Sequence, residues 1–397
     1  MNKELFADKN FRIFLSGQTI AVLGDWLGII AVITLAGFRW QVTPFQMSMV
    51  VFCLAAPMFL AGPFGGVIAD RVDRGRMMSV TCLLRACLLF FIIQAASFVF
   101  LLLLLVLLGA FDACFLTAKN AKIKEIPTAG NIDDAVIYSS FVDQGGRVFG
   151  PAVAGLVLTF FSIEIAIYLN ILFYIVAALF FLFIGREITA NVAKQERIDF
   201  WLEFKAGLDM IRTVPFIMYG AFIQIFVVLV LQMVDSQFVI LLRSVEGASE
   251  AWVGYCLMAS GTGTILMTGF YLKCNKDLNV KKSMFWGTAA YSVSVIGISV
   301  WGMFGGFPAG FLPFFILWGA SGALIFVKYT TYAQANIPVE YSGRVFGSLG
   351  SMLSGASMAG LFCGGALVSW LGAANAFLVA GVLMLLGCLW LLHKNFR

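Results

Sequence analysis

Between Pro44 and Ala69 the chain carries no charged residue. A stretch of that length, wound as a helix, crosses the ~30 Å hydrocarbon core of a bilayer. In lipid every backbone N–H and C=O must be paired internally, which leaves only helices or closed barrels. Apolar residues here run continuously instead of alternating in period two, so helices are indicated. Similar runs recur along the chain. With 61% hydrophobic against 12% charged residues and a mean hydropathy of +0.95, the whole reads as an all-α polytopic membrane protein.

The runs fall near residues 12–38, 44–69, 77–97, 99–120, 134–161 and 163–185, and then near 215–242, 250–273, 282–304, 311–335, 342–370 and 373–393. Six plus six spans predict an N-terminal bundle over 1–185, a linker over 186–213 and a C-terminal bundle over 214–397. Within the linker, RIDFWLEFKAGLDMIRT spaces Phe200, Phe204, Leu208 and Ile211 three or four apart. That is the pattern of an amphipathic helix on the membrane surface, and a plain tether fits it too. The first span has no small-residue cleavage pattern and is expected to be its own insertion signal.

Lys and Arg cluster on alternate connections, including the arginines of 71–76, the 186–212 group and Lys273 to Lys282, while the other side receives Arg39 and Arg243. The positive-inside rule then predicts a multi-pass protein with both termini cytoplasmic. The halves also resemble each other: a shift of 210 lays AGLVLTFFSIEIAIY (154–168) over GGALVSWLGAANAFL (364–378), with glycines coinciding at Gly150/Gly360 and Gly155/Gly365. Parallel repeats of six spans follow.

Several chemistries lack support. None of the eight cysteines forms a CxxC, and the one histidine, His393, lies at the carboxyl end, so neither a metal site nor a histidine relay is expected. The net charge of +5 is spread over short loops, which argues against nucleic acid. No phosphate-cradling GxxxxGK[ST] and no nucleophile elbow occurs. Neither an enzyme nor a resident cofactor is predicted.

The second and third spans are joined by GGVIADRVDRGR, Gly65 to Arg76. Gly66 lets a helix end approach its neighbour. Asp70 suits the positive N-terminus of another helix, and Arg71 and Arg74 can pair with acids such as Asp112 or Asp134. In span five, GRVFGPAVAG places Gly146 and Gly150 four apart on one small face, followed by Pro151, which removes a backbone donor, and Gly155. These two stretches resemble the loop and antiporter signatures of the major facilitator superfamily. NFRIFLSGQTIAVLGDWL (10–27) and PVEYSGRVFGSL (338–349) are similar to its drug:proton antiporter branch, which holds macrolide-efflux and enterobactin-export transporters. Asp73 stands where the family's loop often has glycine, and Ala154 replaces a glycine of the antiporter signature.

The resemblance implies twelve helices in two pseudo-symmetric bundles, in a bacterial inner membrane, acting as a monomer. It also implies a cytoplasmic gate of Gly66, Asp70, Arg71, Arg74 and Arg76 against span eleven near Arg344. Charges inside spans cost ~2.5–3.5 kcal/mol or more and are usually paired or face a cavity. Asp25, midway along span one, is expected either to carry a proton across or to form a fixed ion pair with Arg85 or Arg147. Asp143 and Arg147 lie four apart, a spacing that allows pairing. Arg85, Asp112, Asp143 and Arg147 therefore read as an ion-pair cluster or as substrate contacts, and Gln232, Asp235 and Lys328 in the second half as substrate contacts or gate locks.

The function expected is secondary active export of a small amphipathic molecule, drug-like or siderophore, driven by protons. A lysophospholipid flippase, sharing the Gly24–Asp25 pair, and a non-transporting scaffold or receptor are the alternatives. Substrate, protons and membrane lipids are the partners expected.

Overall fold

The computed structural model describes residues 3–69, 72–123, 125–126, 131–184, 209, 212, 215–274, 280–327, 329, 332–333 and 339–393. Within helices, side chains at 3–4, 58–69, 133, 144, 147–148, 215–216, 271–274, 327, 339–344, 346–347 and 390–393 lie outside that description. After a short helix Lys3–Ala7, the first six long helices are α1 Lys9–Thr34 with a π-helical extension Leu35–Arg39, α2 Pro44–Ala69, α3 Arg74–Ile93, α4 Phe98–Lys122, α5 Ile132–Phe160 and α6 Ile163–Leu182. The second six open with α7 Pro215–Val234, which breaks before a short helix Phe238–Arg243. They continue with α8 Glu250–Cys274, α9 Val280–Met303, α10 Leu312–Gly322 between a 3₁₀ turn Pro308–Phe311 and a π turn Ala323–Val327, α11 Val339–Leu371 and α12 Ala373–His393. Among the described residues eight helices are long and apolar enough to cross a membrane, and shorter apolar stretches fall on α2, α5 and α12.

Helix starts follow from local chemistry. Free N–H groups at an N-terminus need acceptors. Asp8 accepts from the Asn10 N–H at 2.7 Å, Ser97 from Phe100 at 3.2 Å and Ser162 from Ile165 at 3.4 Å. Asp73, the departure from the family's loop pattern, caps α3 by accepting from the Arg76 N–H at 2.8 Å. Between α11 and α12 the turn is made at Gly372, whose φ of +79° disfavours a side chain.

Contacts divide the chain into two compact units, Met1–Gln41 with Met49–Val192, and Val42–Ser48 with Ala193–Arg397. In the first, α1 packs on α5 and α6, and α3 on α4 and α6. In the second, α7 packs on α11 and α12, and α9 on α10 and α12. The two patterns are the same six helices on. Gly150 of α5 lies against Trp26 of α1, and its repeat partner Gly360 of α11 lies against the Leu229 carbonyl of α7. Ser79 of α3 donates to the Ala178 carbonyl of α6 at 2.9 Å; at the equivalent place Cys388 of α12 donates to the Phe285 carbonyl of α9 at 3.7 Å. The fold is twelve transmembrane helices in two pseudo-symmetric bundles.

Lipid is as apolar as leucine, so helices are held by close packing and hydrogen bonds more than by burial. Helix α9 carries a ladder of serines. Ser283 and Ser294 donate to the Leu324 and Phe314 carbonyls of the α10 segment at 2.9 and 2.7 Å, and Ser292 and Ser299 to the Gly381 and Ala374 carbonyls of α12 at 2.8 and 2.6 Å. Phe90, Leu103, Phe160 and Trp370 are exposed, as a surface bathed in hydrocarbon allows. The expected amphipathic linker helix lies outside the described residues, apart from Asp209 and Arg212, which pair at 3.5 Å on the surface.

Candidate functional site: a buried charge network in the first unit

Helix α3 carries Arg85 into the interior of the first unit, where only 1% of it is exposed. Its Nη1 donates to Asp25 Oδ1 of α1 at 2.9 Å and to Asp112 Oδ1 of α4 at 2.6 Å. Its Nη2 donates to Cys82 Sγ, one turn back, at 3.3 Å. The guanidinium lies over the rings of Phe115 and Tyr174, 4.5 and 4.2 Å from their centroids, a placement that favours a cation where water is scarce. The Tyr174 hydroxyl donates to Asp25 Oδ1 at 2.8 Å. Two carboxylates therefore share one guanidinium nitrogen. Their side chains remain 33% and 26% exposed, so the acids reach open space while the cation does not.

Local packing explains why Asp25 can come so close. Gly24 and Gly28 leave room on α1 for Asn170 of α6. Asn170 is itself fully buried, and neither atom of its amide has a hydrogen-bond partner. A second cluster lies one to two turns along α1. Lys119, in the last turn of α4 and 3% exposed, pairs with Asp143 Oδ2 of α5 at 2.6 Å. Gln18 of α1 donates through Nε2 to Asp143 Oδ1 at 2.8 Å and to the Ser139 carbonyl at 3.0 Å, and Ser139 Oγ donates back to Gln18 Oε1 at 2.9 Å.

The structure places the predicted residues unevenly. Of the two partners expected for Asp25, Arg85 is the one found, and the side chain of Arg147 lies outside the described residues. Asp143 is held from other helices, by Lys119 and Gln18. Arg74 pairs with Glu125 at 2.5 Å, and Glu125 also takes Lys122 at 3.2 Å. Asp112, expected beside Arg74, is held by Arg85 instead, because its position on α4 faces the middle of α3 and not its start. Arg76 is exposed. Asp70, Arg71 and Lys328 lie outside the described residues, as do the side chains at Gly66 and Arg344. Gln232 of α7 donates to Ser357 Oγ of α11 at 2.6 Å. Sequence reasoning missed Tyr174, Gln18, Lys119 and Glu125 as partners; the available signal was a polar side chain inside or at the end of an apolar run.

The antiporter-like stretch packs on α1. A methyl group at Gly146 would meet Val22, and one at Gly150 would meet the Trp26 ring. The helix continues through Pro151 to Phe160, and the Gly155 carbonyl accepts from Thr159 Oγ1 at 2.8 Å. Gly150→Leu is expected to lower the unfolding midpoint of the purified protein, and Trp26→Ala in the same chain to restore part of the loss. Overpacking typically costs ~1–3 kcal/mol. Equal midpoints for Gly150→Leu and the parent would refute the contact.

The model of the Major Facilitator Superfamily matches residues 14–360. An uncharacterized MFS-type transporter, YfiS of Bacillus subtilis, is 34% identical over 407 residues, covering 100% of this chain and 96% of its own. The putative bacilysin exporter BacE of Bacillus subtilis is 25% identical over 88% of this chain and 87% of its own. The staphyloferrin A transporter of Staphylococcus aureus is 26% identical over 42% of this chain and 44% of its own. Among solved structures, the nucleoside transporter NupG superposes with a TM-score of 0.73 at 13% identity, covering 98% of this chain and 100% of its own.

Proposed function

Because the chain belongs to the major facilitator superfamily, we propose that it exports amphipathic small molecules by alternating access, driven by inward proton flow. One observation carries the proton part: Asp25 and Asp112 share Nη1 of Arg85. With both acids ionised the cluster holds one negative charge in excess, which is costly at membrane depth. Taking up one proton makes it neutral. If Asp25 takes it, Asp112 and Arg85 remain a neutral ion pair, and Asp25 is free to exchange its proton with the space it faces. The fixed ion pair and the proton carrier are then two protonation states of one site.

Coupling requires only that proton and substrate each bind the two conformations unequally. In the proposed cycle substrate enters with Asp25 protonated and the inner mouth open. Loss of the proton inward restores the Asp25–Arg85 pair, favours closure, and re-forms a cytoplasmic latch of Asp70 and Arg71 against the start of α11 near Arg344. Arg74 is meanwhile engaged by Glu125 of its own unit. Export as the direction is supported by the Gly146–Gly155 stretch and by the likeness to BacE, a putative bacilysin exporter.

The test is flux in proteoliposomes under an imposed pH gradient, with a macrolide, a siderophore and a lysolipid offered separately. The gradient is expected to accelerate one of the first two. Asp25→Asn should abolish the acceleration and leave downhill exchange running. Flux of all three that ignores the gradient ends the proton-driven reading, and a lysolipid flux insensitive to it would establish the flippase instead.

A further inference from the structure

Helix ends of the second unit meet around a cavity of about 460 Å³. Pro44 begins α2, in the Val42–Ser48 segment that belongs to this unit. Arg243 closes the short helix that follows the break of α7 at Asp235 to Gln237. Met303 closes α9, Leu371 closes α11 and Ala373 opens α12. The volume lies within the ~300–1,000 Å³ usual for sites that hold a small molecule.

The walls have two characters. Ile240, Met303, Val368 and Leu371 are apolar, while Arg243, Ser244 and Asn375 are polar. Among the described residues that line the cavity, Arg243 alone carries a charge. Its Nη1 donates to the Val42 carbonyl at 3.4 Å, and a guanidinium has five donors, which one such bond does not exhaust. The first turn of α12 adds the partial positive charge of a helix start. With no acid in the lining, the cavity suits a negatively charged group.

Aromatic side chains mark its depth. Trp370, beside Leu371, is 85% exposed, and Phe304, beside Met303, is 83% exposed. Trp301, at the same end of α9, donates through Nε1 to the Phe307 carbonyl at 2.9 Å. Tryptophan gathers where hydrocarbon meets headgroups, so the cavity opens at the level of lipid phosphates. A cation at that level attracts anionic lipid. Met303 and Leu371 are themselves exposed, which carries the apolar wall out to the hydrocarbon. A water-soluble anion would use the charge and leave that wall uncovered. We propose that this cavity holds the headgroup of an anionic phospholipid, with its phosphate on Arg243 and an acyl chain over Met303 and Leu371. The lipid ties the short helix after the α7 break to the turn between α11 and α12. The site makes no use of the charge network in the first unit.

The probes are short-chain phosphatidylglycerol and zwitterionic phosphatidylcholine with the same tails. Binding of each to the purified full chain in detergent is measured calorimetrically against empty micelles. Phosphatidylglycerol is expected to bind more tightly, because its net charge meets Arg243 without a cation of its own. Arg243→Gln should weaken that binding about tenfold, the factor that 1.4 kcal/mol sets. Ser244→Asp adds a negative charge at an exposed lining position and keeps Arg243. It should weaken binding as well, and it decides the matter if Arg243→Gln fails to fold. Arg39→Gln, in the first unit and paired with Glu164, should change nothing. Equal binding of the two lipids, or phosphatidylglycerol binding that Ser244→Asp leaves unchanged, overturns the site. So does an Arg39→Gln loss as large as that of Arg243→Gln. Inorganic phosphate that abolishes lipid binding at equal concentration would make this a free-anion site and overturn the lipid reading.

Discussion

Arg85→Met is expected to be the most damaging single change in the first unit. It leaves Asp25 and Asp112 facing each other with no cation between them, and it removes the cation held over Phe115 and Tyr174. Breaking a buried pair by deleting one partner typically costs ~3–5 kcal/mol, because the remaining charge stays buried and uncompensated. The decisive comparison is with the triple variant Arg85→Met, Asp25→Asn, Asp112→Asn. Neutralising both acids removes the repulsion, so most of the lost thermal stability in detergent should return, while gradient-driven flux should not. An Arg85→Met protein that unfolds at the parent's midpoint would mean that the network contributes nothing to the bundle. A triple variant no better than the single would place the damage in lost packing of the arginine stem.

The second large effect is expected at the seam between α8 and α10. A methyl group at Gly319 would run into the Ser260 carbonyl and come within 2.8 Å of Thr264 Oγ1, and one at Gly263 would run into the Ile316 carbonyl. The obstacles are mainly backbone, which cannot rotate away as the Trp26 ring can from Gly150. Helix separation would also break the bond from Thr264 Oγ1 to the Gly319 carbonyl, 3.0 Å long. Overpacking costs of ~1–3 kcal/mol are the ordinary range, and this seam should lie at or above its top. Gly319→Val should therefore express poorly and unfold early. Gly322→Ala, three residues on with nothing within 4 Å of the added carbon, should be neutral or slightly stabilising, since alanine is the better helix former by ~1 kcal/mol. Matching midpoints for Gly319→Val and Gly322→Ala would contradict the backbone contact.

Much of the architecture was legible in advance. The long apolar runs lie within a few residues of the helices found, because the need to satisfy backbone groups in hydrocarbon is written locally along the chain. Breaks in α7 at Asp235 to Gln237 and the 3₁₀ and π turns around α10 were not legible: a polar residue within an apolar run reads equally as a buried partner or as a helix stop. The capping role of Asp73 was likewise hidden, since an acid in a basic loop has several uses. The weak repeat seen at Gly150 and Gly360 has a tertiary meaning, as each glycine faces the first helix of its own unit.

The charge network marks the boundary most clearly. Asp25, Arg85, Asp112 and Asp143 stood out in the sequence because a charge inside an apolar run is conspicuous. Which of them meet was decided by the tertiary structure alone. Arg85 and Asp25 are 60 positions apart, Tyr174 and Asp25 are 149 apart, and both pairings depend on the rotation and depth of separate helices. Asp143 is held by Lys119 and Gln18, which come from other helices. Sequence by itself determined that this chain spans a membrane with helices in two related halves, since lipid imposes that demand on every residue it touches. Only packing decided which acid meets which cation, because a counter-ion is a matter of ångströms in space and not of distance along the chain.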